Sequence, residues 1–531
     1  MAALGISRWM SLWIIVGTVL LALPGCAMLP TDVQRTTSRA RPPSTDSALV
    51  SIAQAASPDP DLSGFRLMPI AAYALNARIE LAQRAQTTLD VQYYHIQNDD
   101  TGRYILRMLR DAGLRGVRVR LLLDDLYTAG EDPLLLGLAA TPNVEVRLFN
   151  PFPAGRSHFL LRFAHSALDF NRVSRRMHNK LFIADGAMAV AGGRNLADAY
   201  FMRNTIENFI DLDTFVTGAV VPRLSSLFDQ YWNSDYSYPI AAIASPSNQT
   251  NATLQASFEQ ASGPETTPEP DKPPPNDMLG YGPIVDELNA GKLGLIWATA
   301  EAYADAPDRV IGKKTSYGNV PLEDVESVRY NVIERIRSAR QSVVVISPYL
   351  IPGQSGLEAI REVRARDVPF TLITNSLAAT DESVVHTGYR RYRPELLRMG
   401  VDLYELSPAR VSRSLRMGIF GPTIGRLHAK SAVIDEKVLF IGSMNFDPRS
   451  ELLNTELGLF IQSPELAQQV LKLMDTIKRQ GAYRLRLAGD DQRIEWTGAA
   501  NEAPLTEEPD TTVWQRFLLE LIAPLVPESM L

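Results

Sequence analysis

Apolar and polar residues alternate over Thr88–Tyr94, with Leu89, Val91 and Tyr93 on one face, and the pattern predicts a strand. The period then lengthens. Gly102–Ala112 carries apolar residues three and four apart, as a helix does, and Val117–Asp124 returns to a strand pattern that ends in acidic residues. This alternation predicts an α/β fold with a mostly parallel sheet covered by helices. Two pairs of short apolar runs, Leu181–Ala184 with Met188–Ala191 and Ala432–Ile434 with Val438–Ile441, flank Asp185-Gly186 and Asp435-Glu436-Lys437. Each pair predicts two strands joined by a tight turn.

The second half of the chain repeats the first. Leu109–Asp124 aligns without gaps on Ile360–Asn375, an offset of 251 residues, and Val144–Leu148 on Val401–Glu405, an offset of 257. Between these segments, His178-x-Lys180-x4-Asp185-x6-Gly192-x2-Asn195 returns as His428-x-Lys430-x4-Asp435-x6-Gly442-x2-Asn445. At average usage one copy is expected on the order of once in several million start points. A near-constant offset implies duplication of one α/β unit. Residues two apart on a strand share a face, so His178 and Lys180 aim at a common point, as do His428 and Lys430.

Low-complexity stretches divide the chain. Residues 27–60 are polar, contain proline and predict a tether. Residues 245–278 hold six prolines between Pro264 and Pro275, where neither helix nor central strand can form, and mark the join of the halves. The expected domains are therefore 61–244 and 279–500. A C-terminal tail, 501–531, places Val513, Trp514, Phe517, Leu518, Leu521, Ile522 and Leu525 at helical spacing. That stripe suits either packing on the body or docking at a membrane surface.

The 53 basic and 60 acidic residues give a net charge of −7, which offers no long-range attraction to nucleic acid. The single cysteine, Cys26, excludes internal disulfides and cysteine metal clusters. It follows a leader-like segment in which Arg8 precedes an apolar run, Leu12–Leu23, that is short for a membrane span. An uncleaved anchor is the alternative, and both readings put the body on a membrane, outside the cytoplasm. Zinc would want three or more His, Cys or carboxylate ligands free of ammonium groups, and each motif histidine is followed by a lysine. No metal or cofactor is expected.

The doubled motif resembles the phospholipase D superfamily over about residues 65–500. Thr374–Asp381, continuing to His386-Thr387-Gly388-Tyr389, together with Leu23-Pro24-Gly25-Cys26, is similar to the lipobox-bearing cardiolipin synthase C type of bacteria. Pro24 departs from the usual small or apolar residue of a lipobox. The resemblance implies two tandem α-β-α domains related by pseudo-two-fold symmetry with one shared active site. It also implies acylation at Cys26 and a periplasm-facing, membrane-anchored body; Ala27 gives no inner-membrane retention signal of the Asp type.

Phosphodiester transfer needs a nucleophile, a proton donor and cationic or hydrogen-bonding groups around phosphorus. By resemblance, His178 is the nucleophile that forms a phosphohistidine, and His428 protonates the leaving group and activates the acceptor; quasi-symmetry allows the reverse. Lys180, Lys430, Asn195 and Asn445 would clamp the phosphate oxygens. Asp211 and Glu456, 33 and 28 residues beyond the histidines of their own halves, would hold the rings. Asp185 and Asp435 would be structural, and Ser443, where the first copy has Gly193, would add a hydroxyl near the phosphate. His95, His158 and His165 have no such support, and His386 fits a loop histidine better than a lining of the acceptor pocket. The function expected is phosphatidyl transfer between glycerophospholipids to form cardiolipin, with phosphatidylglycerol as acceptor. The rivals are hydrolysis to phosphatidic acid, a tethered nuclease, and a non-enzymatic scaffold, against which both complete motifs stand.

Overall fold

The computed structural model describes residues 28–244, 249–312, 325–414, 423–490 and 492–523. Cys26 and the run before it, and Pro524, Leu525 and Pro527 at the other end, lie outside the described residues.

In the first half Thr88–Tyr93, Arg118–Asp124 and Val144–Phe149 pair in parallel, in that order. Thr88–Tyr93 is also antiparallel to Leu181–Ala184, which continues through Met188–Gly192 and Asp213–Gly218 to Ser63–Met68. The second half repeats the plan: Val343–Ile346, Phe370–Asn375 and Asp402–Leu406 are parallel, and Ser431–Ile434, Val438–Gly442 and Leu457–Gln462 follow antiparallel. Strand Ile296–Ala304 joins the sheets, pairing first with Ser63–Phe65 and then with Leu457–Gln462. Each sheet is thus mixed, not mostly parallel. The motif strands are joined by turns too short for a crossover, so they can only return antiparallel.

Helices Val221–Trp232 and Pro464–Thr476 share one buried apolar cluster with residues of both sheets, including Leu224, Phe228, Val470 and Met474. Two further clusters, one per half, hold the other helices on their sheets. The halves therefore close over a common core, with the motifs at their join.

The expected tether is shorter than composition suggested. Ala48–Ala56 is a helix capped by Ser47, with Leu49 and Val50 buried, and before it Arg35 and Ala40 bond to Ser237 and Asp229. The proline stretch is irregular as expected, but Asn251–Ser262 ahead of it is a helix that buries Leu254 and Phe258 against the first half. In both places a few apolar residues at helical spacing outweigh polar surroundings. The tail helix spans Val513–Ile522; it is tied on by Arg390–Glu520 and by Arg391 donating to Ala523 O, while Trp514, Phe517 and Leu521 remain exposed.

Each motif turn is fixed by its aspartate. Asp185 and Gly186, and Asp435 and Glu436, take positive φ, the geometry of a type I′ turn. The Asp185 carboxylate accepts from the backbone N–H groups of Gln86, Thr87 and Thr88 and from the hydroxyls of Thr87 and Ser47. Asp435 accepts from the N–H groups of Arg340, Gln341 and Ser342. Asp185 is buried, whereas Asp435 is half-buried beside exposed donors that water can reach. Asp185→Ala is accordingly expected to destabilise by roughly 2–4 kcal/mol, and Asp435→Ala by less than half of that, because orphaned donors cost most where water is excluded. Thermal unfolding of the two variants checks the order.

Candidate active site

His178 and His428 each sit on the extended lead-in to a motif strand, and that lead-in pairs with the other half. The His178 N–H donates to Thr455 O at 2.8 Å and the Thr455 N–H to Arg176 O at 2.9 Å, a parallel bridge just ahead of Glu456. Strand Ile424–Leu427 lies parallel to Glu207–Ile210, and the His428 N–H donates to Ile210 O at 2.7 Å, just ahead of Asp211.

These pairings exchange the carboxylates. His178 Nδ1 lies 2.9 Å from Glu456 Oε2, and His428 Nδ1 lies 2.6 Å from Asp211 Oδ2. The expectation that each carboxylate serves the histidine of its own half is corrected: the bridges carry each to the opposite one. Two motifs make one site.

Both lysines fold back on the main chain, Lys180 Nζ donating to His178 O and Lys430 Nζ to His428 O at 2.6 Å, and Lys430 Nζ also lies 3.1 and 3.2 Å from the ring nitrogens of His428. Asn195 donates to the Tyr200 hydroxyl at 2.9 Å, and the Oδ1 atoms of Asn195 and Asn445 have no hydrogen-bond partner among the described residues. All eight side chains (the two histidines, lysines, asparagines and supporting carboxylates) are buried. Both lysines and both asparagines thus stand within the site with bonding capacity to spare.

Ser443 supports a carboxylate of the site. Its hydroxyl proton is shared between Glu456 Oε2 and Leu457 O, so it holds the carboxylate. The equivalent Gly193 has no room for a side chain, since a Cβ there would lie 2.2 Å from Asp211 Oδ1. The asymmetry between copies, glycine with aspartate and serine with glutamate, is therefore packing around two carboxylates of different length. Gly193→Ala is expected to displace Asp211 and lower kcat about 100-fold, the scale of a 1 Å misplacement, with the fold retained in circular dichroism.

Electrostatics separate the two rings. Burial, with Lys180 and Lys430 nearby, pushes His178 well below an ordinary histidine. His428 is lowered to about 4, by burial and Lys430, but Asp211 opposes the shift. Burial would raise Asp211, yet His428 and Lys430 outweigh it and hold the carboxyl at about 2, whereas burial lifts Glu456 to about 7. His428 thus has the ionised partner and is the ring better able to carry a proton. Both rings lie below the ordinary histidine range, His178 further than His428, because only His428 has an ionised carboxylate against it. Burial also lowers Lys430, to about 8, and Lys180 further, as expected for two cations sharing a site that an anion would relieve.

Several site residues escaped the sequence. Tyr94 stands edge-on to His178 and Tyr200 edge-on to His428, each with ring centroids 4.9 Å apart. His95, discounted above, has its ring 4.6 Å from Tyr127 and is lowered to about 4 by burial and Lys180. The available signal was position: Tyr94 and His95 directly follow a central parallel strand, where α/β sites gather. His386 is no loop residue; it is buried in helix Ser383–Tyr389, with Nε2 2.9 Å from the Arg393 guanidinium. A cavity of about 520 Å³ between the halves is lined by Asp211 but by neither motif histidine.

Two halves that each lend a histidine and a lysine to one site define a paired phospholipase D-like domain. A family model described as "Cardiolipin synthase, PLD-like domain" matches residues 79–232 and 332–478, and the chain belongs to that family. It is 38% identical to cardiolipin synthase C of Escherichia coli (strain K12) over 475 residues, 86% of this chain and 94% of that protein. It is 24% identical to a cardiolipin synthase of Geobacillus kaustophilus over 380 residues, 71% of this chain and 59% of that one. The fold matches a crystal structure of phosphatidylserine synthase from Haemophilus influenzae with a TM-score of 0.56 at 13% identity, over 88% of this chain and 95% of that one.

Proposed function

We propose that this enzyme of the phospholipase D superfamily transfers a phosphatidyl group between glycerophospholipids and forms cardiolipin. The observation that carries the reading is the crossed pair of histidine–carboxylate contacts, which unites two motifs in one phosphodiester site. His178 Nε2 attacks the donor's phosphorus, the bond to the leaving alcohol breaks, and His428 gives that oxygen its proton. His428 then takes the proton from the primary alcohol of phosphatidylglycerol; the alkoxide attacks phosphorus, the P–N bond breaks, and His178 is released. Lys180, Lys430, Asn195 and Asn445 bind the non-bridging oxygens throughout. Asp211 and Glu456 fix the ring tautomers.

The lipobox ending at Cys26 supports acylation there and a body tethered to a membrane and facing the periplasm. A tether confines enzyme, donor and acceptor to one surface at high effective concentration. No helix among the described residues is long and apolar enough to cross a membrane. The test is expression in cells that lack other cardiolipin synthases, followed by lipid analysis. Cardiolipin is expected, and phosphatidic acid alone would convert the reading to hydrolysis.

A further inference from the structure

Beyond strand Val144–Phe149 the chain leaves the sheet as helix Phe159–His165, a single 3-10 turn at Ala167–Asp169 and helix Phe170–Val173. This helical hairpin packs Phe163 and Val173 inward beside Phe152 but turns its other large apolar residues outward. Leu160 is 80% and Leu168 89% exposed, and Phe159, Leu161 and Phe170 each exceed 40%. The side turned inward is anchored by a cation: Arg162 is fully buried, and its guanidinium donates to Leu126 O at 3.2 Å and to the Thr128 hydroxyl at 3.1 Å. Three of the four large apolar residues of helix Phe159–His165 thus face away from the core, the reverse of a helix folded against water. The one acidic residue on the hairpin, Asp169, is neutralised by Arg172 at 2.6 Å.

The hairpin is continuous with the site. The Phe159 ring stacks on Tyr127 at 6.2 Å, Tyr127 meets Tyr94 edge-on at 5.3 Å, and Tyr94 meets His178 at 4.9 Å. Lys180 Nζ lies over the same Tyr94 ring at 5.2 Å, so this path arrives at the motif's own cation. Aromatic rings with a polar edge suit the boundary between acyl chains and headgroups.

We propose that residues 159–170 insert into the acyl layer of a phospholipid bilayer and hold the mouth of the site against it. A substrate's phosphate then reaches His178 along Phe159, Tyr127 and Tyr94 while its acyl chains stay in the membrane. This rests on the glycerophospholipid reading above, and it separates the tether, which sets location, from the hairpin, which sets orientation.

The test uses the full chain as Cys26→Ser/Leu168→Cys, labelled at residue 168 with a polarity-sensitive fluorophore and mixed with vesicles of phosphatidylethanolamine and phosphatidylglycerol. A blue shift with protection from an aqueous quencher is expected; an unchanged spectrum overturns the proposal. In parallel, Leu160→Ser/Leu168→Ser is expected to lower kcat/KM on vesicles by at least about tenfold and on monomeric short-chain phosphatidylglycerol by no more than about twofold. Unchanged turnover on vesicles, equal loss on both substrates, or a solution dimer that this variant dissociates would each count against insertion. A blue shift in a protein that turns over neither lipid would sustain insertion and sink the phosphatidyl-transfer reading.

Discussion

His178→Ala and His428→Ala each lower lipid turnover by at least about 10⁴-fold, because groups that act as a unit lose nearly everything when one is removed. The two variants are not equivalent, and an activated ester tells them apart. A p-nitrophenyl phosphodiester expels a leaving group that needs no proton. His428→Ala should therefore still release p-nitrophenol in a burst of about one equivalent, as phosphohistidine forms and then waits for an acceptor that nothing deprotonates. His178→Ala should give no burst. The assignment follows the resemblance, and the unequal partners of the rings favour it: burial and lysines lower both, and the ionised Asp211 makes His428 the easier of the two to protonate. A burst from His178→Ala with none from His428→Ala would reverse the roles.

Glu456→Gln and Asp211→Asn lower turnover by about 10³–10⁴-fold, the scale seen when a carboxylate that orients a catalytic histidine becomes an amide. The crossed pairing dictates which step fails. Glu456 holds the nucleophile of the other half, so Glu456→Gln should abolish the burst as well as turnover. Asp211 holds the acid and base, so Asp211→Asn should keep the burst and lose the second step. Pairing within each half predicts the opposite on both counts. Burst amplitudes in a stopped-flow instrument decide the matter, and ³¹P spectra should show a phosphoramidate only in the variants that burst.

The motif frames were legible in the sequence because they are local. The alternation around Leu89, Val91 and Tyr93 and the turns at Asp185 and Asp435 each depend on neighbours within a few residues, and strands and turns formed there. Helix Ala48–Ala56 was hidden because its few apolar positions lie within a polar, proline-bearing stretch, and only the groove it fills makes them count. His386 was misjudged for the same reason, since the Arg393 and Glu508 that bury it lie on other elements. Ser443 and Gly193 differ in plain sight, but the carboxylates that explain them arrive from later strands.

By itself the sequence determined that there are two copies of one unit and that each carries a histidine and a lysine two residues apart; the family that this doubled motif resembles implied phosphodiester transfer. The period of a strand and the duplication of a spacing are properties of the chain alone. Only the tertiary structure decided which carboxylate serves which histidine. His178 and Glu456 are 278 residues apart, and His428 and Asp211 are 217 apart; no local period reaches across such distances. The parallel bridges between the halves bring them together.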